Sequence, residues 1–488
     1  MHFAWSDALV VFLYFGIVLY SGYKAGRNSS ESNEFFLAGR SLSWIPLSLS
    51  IVATETSALT FLSVPGIAYS GNFTFLQVIL GYILGRIVVA ILLLPLTYHG
   101  NFLSVYEWVG TRFGRRSQKT MSGLFSVTRL LGDGVRLYAS TLPVAMLLEV
   151  GINRISPSPV SQYSIGVWTL GSVTFVTLLY TMQGGFRSVV WVDTLQYFVY
   201  IFGGVFALVL LYQSFGDPLG ILKQAWETHK LQAVEISNTN ATYFLPWAVL
   251  GGALLSLGTH GADQMFVQRA LAARNIKDAQ KAMVGSGIAV FLQMILFLAI
   301  GTFLYYRFSG QTLNQDKVFS KFLIEEVPAP FLGLLLSGIL ASTMSTLSSS
   351  INSLSLTAKA DFGWSLGGQK SSSAFFAVLL FGSSFFFFSL PEEYTKGLLE
   401  LGLKISSFTV GSMVAVFLTE VIPFLRREIT TSDLGLALSL ASAILCTAIL
   451  GTFKHYNFTI LVPTGMVLFW VFALINSLLL PKKQEGNP

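Results

Sequence analysis

Runs of roughly 20 mostly apolar residues, the length that crosses a bilayer, recur along the whole chain with short polar segments between them. The pattern predicts 13 membrane-spanning helices, near 7–26, 42–70, 73–99, 118–150, 161–182, 187–212, 244–268, 282–307, 329–358, 372–390, 394–421, 433–453 and 457–480. The second, fourth and ninth runs are longer than a bilayer requires, which implies tilt or a break. The longest polar segment is 213–243, too short for an extramembrane domain with chemistry of its own. The expected fold is an all-α polytopic membrane protein, with residues 1–488 forming a single domain.

Composition agrees. Of 488 residues, 11% are charged and 53% hydrophobic, against roughly 25% charged in soluble domains. A soluble chain of this length would need charged surface over about three domains. The single cysteine, Cys446, excludes an intramolecular disulfide and a cysteine metal cluster. The formal charge of +6 comes without the basic stripe or interleaved aromatics of a nucleic-acid binder, so no nucleic-acid partner is expected. Alternating the segments between spans puts 18 of the 30 Lys and Arg on one side, 8 on the other and 4 inside spans. The richer side should be cytoplasmic. That places the N-terminus outside and the C-terminus inside a plasma or inner membrane. No cleavable signal is read before the first span, and a short polar tail, 481–488, follows the last.

Polar groups interrupt two spans. The second carries Thr54, Glu55, Thr56 and Ser57 at its middle, followed by Pro65 and Gly66. The seventh has Gly258 and Gly261 bracketing Thr259 and His260. Interrupted spans at matching positions of successive five-helix units mark inverted-repeat transporters, in which the unwound backbone lines a central site. One kinked helix and one ordinary span end would give the same pattern. In the ninth span Ser342, Ser345, Thr346, Ser349 and Ser353 recur at i, i+3, i+4, i+7 and i+11, on one helical face. Small hydroxyl residues also permit close helix packing. Opposite a broken helix with freed carbonyls, however, uncharged oxygens in this arrangement favour a weakly held hard cation such as Na⁺.

Asp193 lies about two turns inside the sixth span, where an acid is a functional candidate by default. It is read either as part of ion handling, as a salt-bridge partner of Arg86, Arg129, Arg136 or Lys404, or as a helix cap. His2, His99, His229 and His455 sit in loops or at span edges, and no two histidines stand at ligand spacing. No nucleophile–base order or phosphate loop stands out, so the chain is not read as an enzyme.

Five ordered segments carry a resemblance over nearly the whole chain: Phe36–Arg40 (FLAGR), Ala53–Ser57 (ATETS), Tyr180–Ser188 (YTMQGGFRS), Gly261–Arg269 (GADQMFVQR) and Ser348–Ser353 (SSSINS). Together they resemble the sodium:solute symporter family, with its sugar, iodide, proline and sialic acid transporters. The resemblance implies a leucine-transporter-type fold. An extra helix at 7–26 would precede a five-helix repeat at 42–212; an inverted repeat at 244–421 and two further helices at 433–480 would follow. It also implies a sodium site made of carbonyls of Ala53, Thr56 and Ser342 with the hydroxyls of Ser345 and Thr346. A second sodium site of some members maps onto Asp193, Ser345, Ser348 and Ser349.

The solute site implied by the resemblance faces Ser57, Thr60, Phe75, Ser256, Thr259 and His260. The arginine of sialic acid members falls on Gly132 or Gly134, and Arg136, one turn from Gly132, could stand in for it. The asparagine and aromatic ring of sugar members fall on Ser256 and Thr259. Glu55 is unusual inside the broken span. It could pair with Arg136, bind a proton or meet a substrate amine. The expected activity is sodium-coupled symport of a small polar or anionic organic solute by alternating access. A solute sensor without net transport is the alternative.

Overall fold

Backbone groups cannot go unpaired in lipid, so apolar runs of this kind have to be helical. Helices are what the computed structural model of the chain contains. It describes residues 4–25, 32–100, 102–155, 160–239, 241, 243–309, 311, 313, 315–364, 367–390, 398–453 and 458–481. Arg27, Lys396, Lys454, Lys482 and Lys483 of the charge count lie outside the described residues, as do the chain ends and the polar tail beyond 481.

In chain order the first helices are α1 (Trp5–Ala25), α2 (Ser32–Leu37), α3 (Trp44–Glu55), α4 (Ala58–Ser70) and α5 (Leu76–Val88). A π-helical turn, Val89–Leu93, leads into α6 (Leu94–Tyr98). Then come α7 (Val105–Phe113), α8 (Arg115–Ile155), α9 (Gln162–Gln213), α10 (Pro218–Glu227), α11 (Leu245–Ala262), α12 (Gln264–Leu271) and α13 (Ile276–Arg307). The remainder are α14 (Val318–Glu325), α15 (Phe331–Phe362), α16 (Gln369–Phe388), α17 (Leu398–Val421), α18 (Pro423–Glu428), α19 (Asp433–Phe453) and α20 (Phe458–Leu479).

Nine of the described helices are long and apolar enough to cross a membrane, or ten if α3 and α4 form one bent span. The count of 13 exceeds this for identifiable reasons. The 52 residues of α9 were read as two spans, and α8 carries Arg129, Asp133 and Arg136 along its middle. The seventh apolar run, for its part, is divided between α11 and α12. At about 1.5 Å per residue α9 is far longer than one crossing, and Gly185 splits it with φ +55° and ψ −149°. A side chain there would be strained, and its Cβ would lie 2.4 Å from the Phe35 carbonyl oxygen.

Two breaks position the centre of the molecule. α3 stops at Glu55, and Thr56 and Ser57 take extended ψ values of 98° and 165°. The Ser57 hydroxyl then accepts from the Thr60 amide at 3.4 Å and caps α4. The second break lies at Asp263, not among Gly258–Gly261 as the sequence led us to expect: α11 stays helical through His260 and ends at Ala262. Asp263 caps α12 by accepting from the Met265 amide at 2.9 Å. The Ala262 carbonyl finds a donor in Tyr106 Oη at 3.1 Å.

α15 runs through the core, buried along almost its whole length. α5 and α11 press together backbone to backbone. A Cβ on Gly81 would meet the Val249 carbonyl oxygen at 2.2 Å, and one on Gly252 the Val78 carbonyl oxygen at 2.2 Å. Large apolar side chains such as Phe12, Trp168, Phe202 and Leu478 stand exposed on the outer helices, as a lipid-facing surface requires.

Candidate functional site

The break after α3 lies against the hydroxyl stripe of α15. Thr346 Oγ1 lies 3.3 Å from the Thr54 carbonyl and 3.2 Å from the Ser342 carbonyl of its own helix, and can donate its one hydrogen to either. Ser342 Oγ in turn donates to Ile339 O at 2.9 Å. Ala53, Thr56, Ser342, Ser345 and Thr346 are all buried. The hydroxyl of Thr56 is held by Gln293 Nε2 at 2.8 Å, and Gln293 Oε1 accepts from Tyr200 Oη at 2.9 Å. Gln293 and Tyr200 were not found from the sequence; they brace the break from α13 and α9.

Beside this lies a fully buried charged network. Asp193 pairs with Arg269, Nη2 to Oδ2 2.9 Å, and both side chains are wholly inaccessible. The partner is none of the four cations expected, and Arg269 is not the loop residue that the charge count assumed. Asp193 Oδ2 also accepts from Ser50 at 2.6 Å, and Oδ1 accepts from Ser345 at 2.7 Å. Arg269 further donates to Ser50 at 2.8 Å, Ser349 at 2.6 Å, the Met265 carbonyl at 2.6 Å and Thr54. Ser349 Oγ lies 2.9 Å from Thr54 Oγ1, whereas Ser348 Oγ donates to its own helix at Ser345 O, 3.1 Å. One guanidinium thus ties α12 to α3, α9 and α15.

A second charged group forms where α3, α5 and α11 meet. Glu55 pairs with Arg86, not with Arg136 as the sequence reading had offered. Arg86 is completely buried and its Nη1 donates to Ser286 Oγ at 2.7 Å. His260 Nε2 lies 4.0 Å from Glu55 Oε2. That nitrogen is buried and has no hydrogen-bond partner among the described residues. On the other side of the ring, Nδ1 is 3.2 Å from Ser256 O and 3.0 Å from Thr259 Oγ1. Ser256 Oγ donates to Tyr82 O at 3.1 Å, which joins α11 to α5.

Of the expected solute residues, Glu55, Ser256, Thr259 and His260 come together here, and Ser57 and Thr60 follow at the start of α4. Phe75 does not join them. It packs edge-on to Tyr243, centroids 5.5 Å apart, and sits just before α5, about 16 Å from Arg86 at 1.5 Å per residue. Arg136 lies 3.5 Å from Asp133, which also pairs with Arg129 at 3.3 Å and accepts from Ser350. Arg129 in turn pairs with Asp263 at the second break. Among the described residues no cluster of three or more His, Cys, Asp or Glu could hold a metal ion. Apart from the carboxylates of Glu55 and Asp193, each held by an arginine, the oxygens around the α3–α4 break are carbonyls and hydroxyls, a donor set suited to a hard monovalent cation.

The sequence model of the sodium:solute symporter family matches residues 35–373. The human sodium/iodide cotransporter is 27% identical over 72% of this chain and 54% of its own length. Human sodium-coupled monocarboxylate transporter 2 is 26% identical over 73% and 57%. A sodium/sialic acid symporter of Aliivibrio fischeri is 26% identical over 74% and 70%. The chain thus spans little more than half the length of the first two of these relatives. A solved Na⁺-coupled sialic acid symporter in a substrate-bound outward-open state has the same fold, with a TM-score of 0.80, 20% identity, and 99% of this chain and 100% of that one covered. A nucleobase-cation-symport-1 family transporter superposes with a TM-score of 0.57 and 17% identity over 93% and 96% of the two chains. The likeness to both gives the chain the expected leucine-transporter-type fold of a multi-pass membrane protein. On the match over residues 35–373, the chain belongs to the sodium:solute symporter family.

Proposed function

We propose that the protein is a sodium-driven symporter of a small polar organic solute, oriented with its N-terminus outside and its C-terminus in the cytoplasm. The observation that carries this reading is the Thr346 hydroxyl set 3.3 Å from the Thr54 carbonyl, where the hydroxyl stripe of α15 meets the broken α3–α4 span. Sodium would be held there by the carbonyls of Ala53, Thr56 and Ser342 and the hydroxyls of Ser345 and Thr346. An ion spanning this gap steadies α3–α4 against α15 and so completes the neighbouring solute site at Glu55, Ser57, Thr60, Ser256, Thr259 and His260. When the repeats 42–212 and 244–421 rock against each other, ion and solute sites open together.

A second sodium at Asp193, Ser345, Ser348 and Ser349 belongs to the proposal in a restricted form. Arg269 already donates to Asp193 Oδ2 and to Ser349. A further ion must therefore rely on Asp193 Oδ1 with Ser345 and Ser348.

The test is uptake into proteoliposomes with an imposed inward sodium gradient, across a panel of radiolabelled sugars, amino acids, amides and carboxylates. Accumulation above equilibrium, abolished by a sodium ionophore, is the expected result. Sodium-dependent binding with no accumulation of any bound solute would overturn symport and leave a sensor.

A further inference from the structure

Among the described residues, each arginine around the two helix breaks has an acid beside it. Arg86 pairs with Glu55, Arg269 with Asp193, Arg129 with Asp263 and Asp133, and Arg136 with Asp133. Four arginines therefore face four acids, and none of these arginines is left over for an anionic solute. A simple anion entering this centre would have to share a guanidinium that already faces an internal acid; the most open of the four, Arg136, is 20% exposed and 3.5 Å from Asp133.

What the centre does offer is a pair of acceptors. His260 Nδ1 stands 3.2 Å from the Ser256 carbonyl, which can only accept, and 3.0 Å from Thr259 Oγ1, whose own hydrogen has the Leu255 carbonyl at 3.0 Å; on these contacts we assign the ring hydrogen to Nδ1. Nε2 is then a bare lone pair with no partner among the described residues, on a side chain that is 1% exposed. It faces Glu55 Oε2 at 4.0 Å, beyond hydrogen-bond reach. Glu55 Oε2 already accepts from Arg86 Nη2 but has a second lone pair, whereas the buried Nε2 has no donor, which costs about 1–3 kcal/mol. Glu55 is the more open of the two, 18% exposed, and gives the pair its access. A donor nitrogen placed about 2.8 Å from both would see them about a right angle apart, within reach of the two hydrogens of one NH₂ group. A hydroxyl has one hydrogen and satisfies only one of the two.

We infer that the solute is an uncharged or zwitterionic molecule that presents an N–H pair, as an amide, a urea or a primary amine does, to Glu55 and His260. This rests on the symport reading of the same site, and it shifts the expected solute away from the simple anions. Arg136 becomes the structural partner of Asp133 and not a carboxylate fork.

The experiment is a thermal-shift titration of the purified full chain, in sodium and in potassium at equal ionic strength. The probes are urea, nicotinamide, L-alanine and L-glutamine, set against lactate, acetate, glucose and myo-inositol. The inference expects at least one nitrogenous probe to stabilise the protein. In His260→Phe, which keeps a ring but removes the acceptor, its affinity should fall tenfold or more while stabilisation by sodium alone persists. Glu55→Gln is the second variant, and the same probe should lose affinity in it as well. Binding confined to the carboxylates or sugars, no binding by any nitrogenous probe, or unchanged affinity in His260→Phe overturns the inference. Sodium-dependent binding of lactate alone would defeat the acceptor pair and spare symport. Binding of an amide equally in sodium and potassium would do the reverse.

Discussion

Arg269 Nη2 sits 2.9 Å from Asp193 Oδ2, with both side chains completely buried, so that a residue just beyond one helix break is fastened to the helix that packs beside the other. Removing one partner strands the other charge away from water, which costs about 3–5 kcal/mol, whereas removing both costs far less. Asp193→Asn and Arg269→Gln should each lower the unfolding temperature in detergent, and the double variant should recover most of the loss. Single variants as stable as the parent would show that the pair does not hold the fold. The folded double variant then reads the ion number: a shallower sodium titration than the parent's assigns Asp193 a second ion, and an equal slope assigns it none.

The contact between α5 and α11 sets the distance between Arg86 and His260. Gly252→Ala would place a Cβ 2.2 Å from the Val78 carbonyl oxygen, a backbone atom with little room to yield. Overpacking of this kind costs about 1–3 kcal/mol. The variant should unfold at a lower temperature and bind solute more weakly, while sodium binding at the α3–α4 break is spared. Unchanged unfolding would mean that the two helices can separate freely.

In the segment 213–243 the Ser237 hydroxyl and the amides of Ser237 and Asn238 all donate to Glu235, which holds its carboxyl down from 4.5 to about 2. These bonds favour the carboxylate, so their contribution is complete above pH 4.5 and is lost as the pH falls toward 2. Glu235 also accepts through its carbonyl from the Leu245 amide at the start of α11, 2.8 Å. Hydrogen exchange at Ser237 and Asn238, corrected for the intrinsic rate, should stay slow from pH 7 to 5 and quicken below about 4. Exchange in Glu235→Gln should be fast throughout. A parent profile flat to pH 2 would contradict this.

The α3–α4 break was legible because Thr54–Ser57 is polar at the middle of an apolar run and ends in a serine that can cap the next helix. The hydroxyl stripe was legible for a similar reason, since its 3.6-residue period survives without any tertiary information. The second break was misplaced because Gly258 and Gly261 look like interruptions. They are helical, and their missing side chains make room for Val410 and Leu93. The break instead comes from Asp263 acting as a cap, one polar residue among several in that stretch. Charge partners were the least legible. Arg86 is 31 positions from Glu55 and Arg269 is 76 from Asp193, and no local rule selects one buried arginine over another. Arg269 looked like a loop cation because the seventh apolar run was ended at 268, one residue before it. Its burial is set by the helices around it.

The central claim is a sodium ion held between α15 and the broken α3–α4 span, and equilibrium binding of radioactive sodium to the purified protein tests it most directly. Each lost oxygen ligand should weaken binding about tenfold or more, near 1.4 kcal/mol. The account predicts saturable binding that potassium does not compete away, weakened to that extent in both Ser345→Ala and Thr346→Ala. Equal competition by potassium, or parent affinity in Thr346→Ala, would contradict it.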